Sequence, residues 1–118
     1  MHGEIELPVF LPDATYGFVK AVDTGDLIRC NIKALMMNFF HLMQHPGSST
    51  IKRLGGIHRI FNWDSPVIMD SGGFQIFSLL RKSRKFGTVT DNGIIFKPKN
   101  KSKKIIITPE KSIQLQIK

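Results

Sequence analysis

Residues 66–75 run Pro66-Val67-Ile68-Met69-Asp70-Ser71-Gly72-Gly73-Phe74-Gln75, an apolar segment followed at once by a polar, glycine-rich cluster. The consecutive apolar residues are typical of a short buried strand. Burial on both faces favours a parallel strand covered by helices. Proteins built from such strands place their functional sites at the carboxyl ends of the strands. The sequence therefore predicts a site at Asp70 and the residues that follow it.

The residues of this cluster offer groups that a planar ligand could use. The Asp70 carboxylate can accept a hydrogen bond or a proton, and Phe74 presents a flat aromatic face. Gly72 and Gly73 have no Cβ, so the backbone can turn sharply and let a ligand approach closely. The same residues also suit a plain turn, in which Asp70 and Ser71 cap the backbone and the glycines supply positive φ. Both interpretations are open at this point.

Strand and helix patterns alternate in the part of the chain that precedes this segment. Apolar runs predict strands at residues 8–12 and 32–37. Periodicity does not exclude a helix in the second run, because it is short and its alanine and methionines favour helix. A helix is predicted from Thr24, as N-cap, to about residue 31, and another from Ser48 to about residue 55. Strand–helix alternation implies right-handed crossovers and a parallel sheet. The two runs and residues 66–70 are therefore expected to be adjacent strands with the same direction.

Polar side chains follow each of these three predicted strands. They are Asp13, Asn38 and Asp70. Because the carboxyl ends of parallel strands meet at one edge of the sheet, we expect these three residues to share one end.

After Gln75 the pattern changes to that of a hairpin. A brief helix is predicted over residues 76–80, and residues 88–96 have the strand–turn–strand form of a β-hairpin with Asn-Gly in the turn. Residues 105–107 predict a further strand. Thr108 and Pro109 then have the pattern of an N-cap followed by proline at the first helical position. Three parallel strands and a newly opened helix complete neither a barrel nor a doubly wound sheet, so the chain is expected to be the first part of a larger fold.

Composition limits the class of protein. The chain has 118 residues, 42% of them hydrophobic, which suits one globular domain with a modest core. No run approaches the length of a membrane span, and the N-terminus lacks a secretory signal pattern. Cys30 is the only cysteine, which excludes an internal disulfide and a zinc site built from several cysteines. A cytoplasmic location fits these features.

Positive charge is concentrated in the last third of the chain. Residues 1–80 contain six Lys or Arg and seven Asp or Glu, whereas residues 81–118 contain eleven and two. This asymmetry indicates an anionic partner, nucleic acid first. A solvated basic face is the alternative interpretation of the same pattern.

Several short motifs occur in a fixed order along the chain. They are residues 8–12 with Thr15, Gly17, Val19 and Lys20, then residues 38–42 with Pro46-Gly47, 55–58, 62–64, 70–75 with Phe77-Ser78, and 108–112. In these motifs and their order the chain resembles the tRNA-guanine transglycosylases, also called queuine tRNA-ribosyltransferases. Asp70 to Gln75, preceded by Trp63-Asp64 and followed by Thr108 to Lys111, form the most specific combination. The chain resembles the N-terminal portion of this family, and residues 1–118 are expected to be the N-terminal part of its catalytic domain.

The resemblance implies a fold, an activity and partners. The implied fold is α/β: the first three or so strand–helix units of a (β/α)₈ barrel, with an inserted β-hairpin near the C-terminal end of the chain. The family exchanges guanine in the tRNA anticodon for queuine or another 7-deazaguanine base, in queuosine biosynthesis, through a covalent enzyme–RNA intermediate. The implied partners are tRNA and a guanine or 7-deazaguanine base, with no membrane. Pairing of the complete protein as a homodimer or heterodimer is left open.

The resemblance also implies that seven residues bind the substrate. They are Asp70, Ser71, Gly72, Gly73, Phe74, Gln75 and Asn38. Asp70 would be the acid/base aspartate, the three residues after it would line the base pocket, and Phe74 would stack on the heterocycle with Gln75 beside it. Asn38 would lie near the ribose.

Some family features differ in this chain or lie outside it. Asp13-Ala14 replaces the usual Val-Gly, which puts an extra charge by the site, and Phe39 replaces a threonine. The family's nucleophilic aspartate and its three-cysteine, one-histidine zinc site lie beyond residue 118, so no nucleophile, metal or other cofactor is expected within this chain. A covalent mechanism does not run without its nucleophile, so the isolated chain is expected to be inactive. The chain is then an enzyme fragment, a catalytically inactive RNA-binding remnant or a non-catalytic partner subunit.

Overall fold

The computed structural model of the chain describes residues 2–97 and 104–117. They form a mixed α/β structure that divides into two compact units, Met1–Asp70 and Ser71–Lys118. We call these the N-terminal unit and the C-terminal unit. Within the described ranges, no helix has both the length and the apolar character that crossing a membrane requires.

The described residues of the N-terminal unit form two strands and four short helices. In chain order these are α1 (Thr24–Arg29), β1 (Leu35–Asn38), α2 (Phe39–Gln44), α3 (Ser48–Arg53), α4 (Ile57–Ile60) and β2 (Val67–Asp70). The two strands pair in parallel, with Leu35 opposite Val67 and Asn38 opposite Asp70. The predicted parallel pairing of these two strands is confirmed.

Apolar side chains from the strands, helices and loops of this unit meet in one core. Its buried members are Ala14, Leu27, Leu35, Met37, Leu42, Ile51 and Trp63. Trp63 is 1% exposed, and its indole N–H donates to the Pro66 carbonyl at 3.2 Å. This bond satisfies the only polar group of the indole, so Trp63 anchors the chain just before β2.

The prediction of a strand at residues 8–12 is wrong in its extent. Contact with β1 is limited to one parallel bridge between Asp13 and Met36. The Met36 N–H donates to the Pro12 carbonyl at 3.1 Å, and the Ala14 N–H donates to the Met36 carbonyl at 2.7 Å. The prolines at both ends of residues 8–12 have no N–H to donate, so a longer ladder is disfavoured there.

Asp13 does not lie level with Asn38 and Asp70 at the strand ends, where the sequence predicted it. Its bridge partner Met36 precedes Asn38 by two residues in β1, whereas Asn38 and Asp70 are register partners at the end of their strands. The Asp13 carboxylate accepts a hydrogen bond from the Thr15 N–H at 2.9 Å and another from the Thr15 hydroxyl. It therefore stabilises its own loop as an Asx turn.

Local capping explains two further differences in the N-terminal unit. Asp23, and not Thr24, caps α1, because its side chain accepts from the Asp26 N–H at 2.7 Å, and a carboxylate there also suits the helix dipole. The Thr24 hydroxyl donates to the Phe61 carbonyl instead. β1 begins three residues later than predicted, since the Ile32 N–H is bonded to the Leu27 carbonyl at the end of α1.

The C-terminal unit consists of two helices, a short 3₁₀ turn and an antiparallel sheet in its described residues. In chain order they are α5 (Gly73–Lys82), the turn Arg84–Phe86, β3 (Gly87–Thr90), β4 (Gly93–Phe96), β5 (Ile105–Ile107) and α6 (Pro109–Gln116). The sheet order is β3-β4-β5. The predicted hairpin is confirmed, although Thr90 pairs with Gly93 and the turn residues are Asp91 and Asn92.

Of the two helices in this unit, α6 begins where it was predicted and α5 begins earlier. α6 begins as predicted, because the Thr108 hydroxyl accepts from the Lys111 N–H at 3.2 Å and Pro109 is the first helical residue. The backbone N–H of Glu110 and the Thr108 side chain hydrogen-bond the Glu110 carboxylate and lower the pKa of this exposed group. α5 is longer than the predicted residues 76–80 at both ends, because it begins at Gly73, directly after Gly72, and continues to Lys82.

The described residues contain two parallel strands and one three-stranded antiparallel sheet, and no closed barrel is present among them. The mixed α/β class is as predicted. The succession of barrel strand–helix units stays a prediction.

Gly87 provides a test of the hairpin geometry. Its φ is 140°, and a Cβ placed there would lie 1.9 Å from the backbone oxygen of Ile95. We expect Gly87→Ala to destabilise the sheet by at least about 2 kcal/mol, because the neighbouring backbone must move. Hydrogen exchange at the β3 and β4 amides measures this effect.

Gly47→Ala is the matched control for that measurement. Gly47 also has a positive φ, of 98°, but its nearest neighbour, the Met43 carbonyl oxygen, is 3.6 Å from the added Cβ. Hairpin amides that exchange at the same rate in both variants would contradict the β3–β4 pairing described here.

Candidate functional site

The ends of β1 and β2 place Asn38 and Asp70 side by side. The Asn38 Nδ2 lies 2.8 Å from Oδ1 and 2.9 Å from Oδ2 of Asp70, and it donates to both carboxylate oxygens. Asn38 is 2% exposed, whereas Asp70 is exposed. A buried amide thus holds a carboxylate that solvent, or a ligand, can reach.

The oxygen of the same amide is bound to the start of helix α2. Asn38 Oδ1 accepts from the backbone N–H of Phe40 at 3.0 Å and from that of His41 at 3.3 Å. Backbone N–H groups can only donate, so the amide oxygen must face α2 and the NH₂ group must face Asp70. The two sets of partners therefore fix the orientation of the amide, and both of its ends are satisfied.

Two ordinary local preferences produce this pair. Asparagine is among the residues most favoured at helix N-caps, and Asn38 is the N-cap of α2. Parallel pairing in the register Asn38–Asp70 then brings the two side chains to neighbouring positions at one end of the strands, since adjacent strands lie about 4.8 Å apart.

An exposed carboxylate of fixed orientation can act in two ways. It can accept a hydrogen bond from a ligand N–H, and it can take up and return a proton during a reaction. In residues 2–97 and 104–117, no group of three or more His, Cys, Asp or Glu side chains is arranged to hold a metal ion.

The other predicted site residues begin the C-terminal unit. They are Ser71, Gly72, Gly73, Phe74 and Gln75. Gly72 is left-handed, with a φ of 65°, and is the N-cap residue of α5. The Ser71 hydroxyl accepts from the Gly73 N–H at 3.3 Å. These residues therefore form the turn that the plainer interpretation predicted, and that turn starts a helix.

The side chains of this segment differ in accessibility. Phe74 is 79% exposed, and Gln75 is half-buried. Ser71 and Gly73 line a mostly apolar cavity of about 370 Å³, whose other walls are formed by Ile76, β4, β5 and the start of α6. Phe74 and Gln75 do not line this cavity. The Phe74 ring is accessible for stacking, and the predicted roles of all five residues stay predictions.

The sequence reasoning missed helix α2, and with it the capping role of Asn38. A signal was present, since Asn38 stands directly before a run of six residues without glycine or proline, from Phe39 to Gln44. The expected place of Asn38 near a ribose stays a prediction. The structure adds that its amide is buried and that it touches Asp70.

Comparison with known proteins gives a family for the chain. The family profile described as queuine tRNA-ribosyltransferase matches residues 1–118. Three similar proteins carry the same name. The one from Thiobacillus denitrificans is 43% identical over 115 residues, covering 98% of this chain and 30% of the relative.

The relatives from Pseudoalteromonas translucida and Staphylococcus aureus are 42% and 40% identical, over 116 and 117 residues. The matches cover 97% and 98% of this chain but only 29% of each relative. The chain thus spans less than a third of the length of these proteins. Because the family profile extends over the whole chain, the chain belongs to the queuine tRNA-ribosyltransferase family.

Proposed function

We propose that this chain forms the base-pocket and acid/base segment of an enzyme that exchanges guanine in the tRNA anticodon for queuine or another 7-deazaguanine base. The observation that carries the proposal is the exposed Asp70 carboxylate, held by the buried Asn38 amide at the shared end of two parallel strands. Family membership supports the choice of reaction, because the named relatives are queuine tRNA-ribosyltransferases.

Asp70 is the proton carrier in this proposal. A purine that leaves a ribose must gain a proton on the ring nitrogen that is released, and the purine that takes its place must lose one. A single carboxylate can do both in turn, giving its proton to the departing base and accepting one from the incoming base. Asn38 is a positioning residue, because its amide holds both carboxylate oxygens in place through the exchange.

The segment after Asp70 would receive the heterocycle. The exposed Phe74 ring offers a stacking surface for a purine. Ser71, Gly72 and Gly73 would line the pocket, with Gln75 beside it. Proteins that act on a nucleobase commonly combine hydrogen bonds to its edge with aromatic contact to its face, and this segment contains both kinds of group.

The remaining parts of the machinery are proposed to come from sequence beyond residue 118. The nucleophilic aspartate is one of them. The family's zinc site is another, because its three cysteine ligands cannot come from a chain whose only cysteine is Cys30. Further strand–helix units would complete a (β/α)₈ barrel around β1 and β2. We place the activity in the cytoplasm, together with its tRNA substrate.

A catalytically inactive RNA-binding protein, alone or as a partner subunit, is the second candidate. The observation that favours it is the excess of eleven Lys or Arg over two Asp or Glu in residues 81–118. The genomic reading frame separates the candidates. Continuation past residue 118 into an aspartate after an apolar strand and a Cys-x-Cys-x-x-Cys cluster supports the enzyme, and a stop codon there supports the binding protein.

Asp70→Asn tests the proton-transfer role in a complete enzyme that carries this segment. Asparagine is nearly isosteric and still hydrogen-bonds, but it takes up no proton at neutral pH. We expect turnover to fall by about 10²–10⁴-fold while tRNA binding is largely kept. A steady-state base-exchange assay and a gel shift measure the two effects.

Asp91→Asn, in the turn between β3 and β4, is the matched control, since it makes the same chemical change at a residue that is not among the proposed site residues. Turnover of Asp70→Asn within about threefold of the parent would remove Asp70 from the catalytic residues. It would leave the plain turn as the better interpretation.

Asn38→Asp tests whether Asn38 acts through Asp70. An aspartate keeps the N-cap of α2 but puts a second carboxylate where the amide donated. Two carboxylates this close oppose each other's ionisation. We therefore expect the acidic limb of the pH–rate profile to move to higher pH. Asn31→Asp, an exposed site with the same charge change, should leave the profile in place. If Asn38 has only a structural role, Asn38→Asp should lower the rate without moving the acidic limb of the pH–rate profile.

The isolated chain should show no base exchange, because the proposed nucleophile is not in it. Incubation of the purified chain with tRNA and labelled guanine measures this directly. Incorporation of label above that seen with heat-denatured protein would contradict the expectation and require a nucleophile within residues 1–118.

A further inference from the structure

One face of helix α5 combines exposed aromatic rings with exposed cations. Phe74, Phe77, Ser78, Arg81 and Lys82 line a shallow cleft of about 260 Å³. Their spacings of three and four residues put them on the same side of the helix. Phe77 is 49% exposed, and both basic side chains are exposed. We call this surface the α5 face.

Among the described residues of the C-terminal unit, no carboxylate forms an ion pair with the cations of the α5 face. α5 itself has no acidic residue. In the part of the chain that the structure describes, the one ion pair joins Arg29 to Asp26, in the N-terminal unit. The C-terminal unit contains two acidic residues, Asp91 and Glu110, and neither lies on α5. The surface therefore has a positive potential and suits an anionic ligand.

The aromatic part of the surface narrows the class of anion. The Arg81 guanidinium carbon lies 5.8 Å from the centre of the Phe77 ring, so a flat group stacked on Phe77 would also lie close to a cation. Aromatic rings for base stacking combined with cations for the backbone are the general means of binding single-stranded nucleic acid. A protein segment would need apolar and acidic groups at matching positions, whereas each nucleotide supplies both a ring and a phosphate.

We infer that the α5 face binds a nucleotide of single-stranded RNA adjacent to the one being exchanged. Its base stacks on Phe77, and its phosphate lies against Arg81 and Lys82. This inference rests on the proposed function, in which Phe74 stacks on the exchanged base. Phe77 follows Phe74 by three residues, about 4.5 Å along the helix axis, a step that neighbouring bases of one strand can span.

The test measures binding of a fluorescent anticodon stem-loop RNA to the 118-residue chain over a range of salt concentrations. For single strands, each neutralised phosphate contributes about 0.7 to the slope of log K against log salt. Because one phosphate is proposed to lie against both cations, the double variant Arg81→Ala/Lys82→Ala should reduce the slope by about 0.7. The control is Lys52→Ala/Arg53→Ala, which removes two neighbouring exposed cations from α3, and it should keep the parent slope.

Phe77→Ala tests the stacking contact separately. It should weaken RNA binding by at least about fivefold, the low end of measured base–aromatic contributions, and leave the salt slope unchanged. An RNA with 2-aminopurine in the loop should lose its stacking-dependent fluorescence change with this variant. Far-UV circular dichroism of each variant verifies that the helices are kept.

Three results would overturn the inference. They are absence of RNA binding by the parent chain, equal slope changes in the two double variants, and unchanged affinity in Phe77→Ala. These readouts are independent of base exchange. If the α5 variants bind RNA like the parent while Asp70→Asn abolishes base exchange, only this inference is refuted. If the α5 variants weaken RNA binding while Asp70→Asn keeps full base-exchange activity, only the proposed function is refuted.

Discussion

The buried side-chain amide of Asn38 connects three elements of the N-terminal unit. Its oxygen caps helix α2, its backbone ends strand β1, and its NH₂ group holds the carboxylate at the end of β2. Because the amide is 2% exposed, water cannot readily take over these bonds if the side chain is removed. An unsatisfied buried donor or acceptor costs about 1–3 kcal/mol. The residue that stabilises the local fold therefore also determines where the Asp70 carboxylate lies.

The position of Asp70 depends equally on strand register. A slip of one residue between β1 and β2 would turn the side chains of β2 to the opposite face and bring Met69 or Ser71 level with Asn38. The register has a specific support, because buried Trp63 packs in the core and bonds the Pro66 carbonyl just before β2 begins. The core and the site are in this way parts of one arrangement.

Features with local signals could be predicted from the sequence. The β3–β4 hairpin, the Thr108-Pro109 start of α6 and the parallel pairing of β1 with β2 follow from turn chemistry, capping and strand–helix alternation, and the structure has all three. The strand expected at residues 8–12 failed because its prolines leave few donors. Helix α2 was missed because it begins directly after β1, with no loop between them.

The residue types of the candidate site are visible in the sequence, whereas the geometry that brings Asn38 to Asp70 is not. The type and place of Asp70 suggested a proton acceptor, and Ser71 to Gly73 suggested a turn. The Asn38 amide bonds α2 through its oxygen and Asp70 through its NH₂ group. This arrangement depends on a contact between two residues that are 32 positions apart in the sequence. No pattern within one segment contains that information. The α5 face was not predicted either, because the helix expected over residues 76–80 leaves out Phe74, Arg81 and Lys82.

The most direct test of this account is nuclear magnetic resonance of the Asn38 side-chain amide during a pH titration of the chain. If the amide holds the Asp70 carboxylate, its two protons and the Asp70 carboxyl carbon should shift together, with one common midpoint. Its proton exchange should also be slower than that of the exposed Asn31 and Asn92 amides. An Asn38 amide that exchanges as fast as these and does not respond as Asp70 titrates would contradict the central claim.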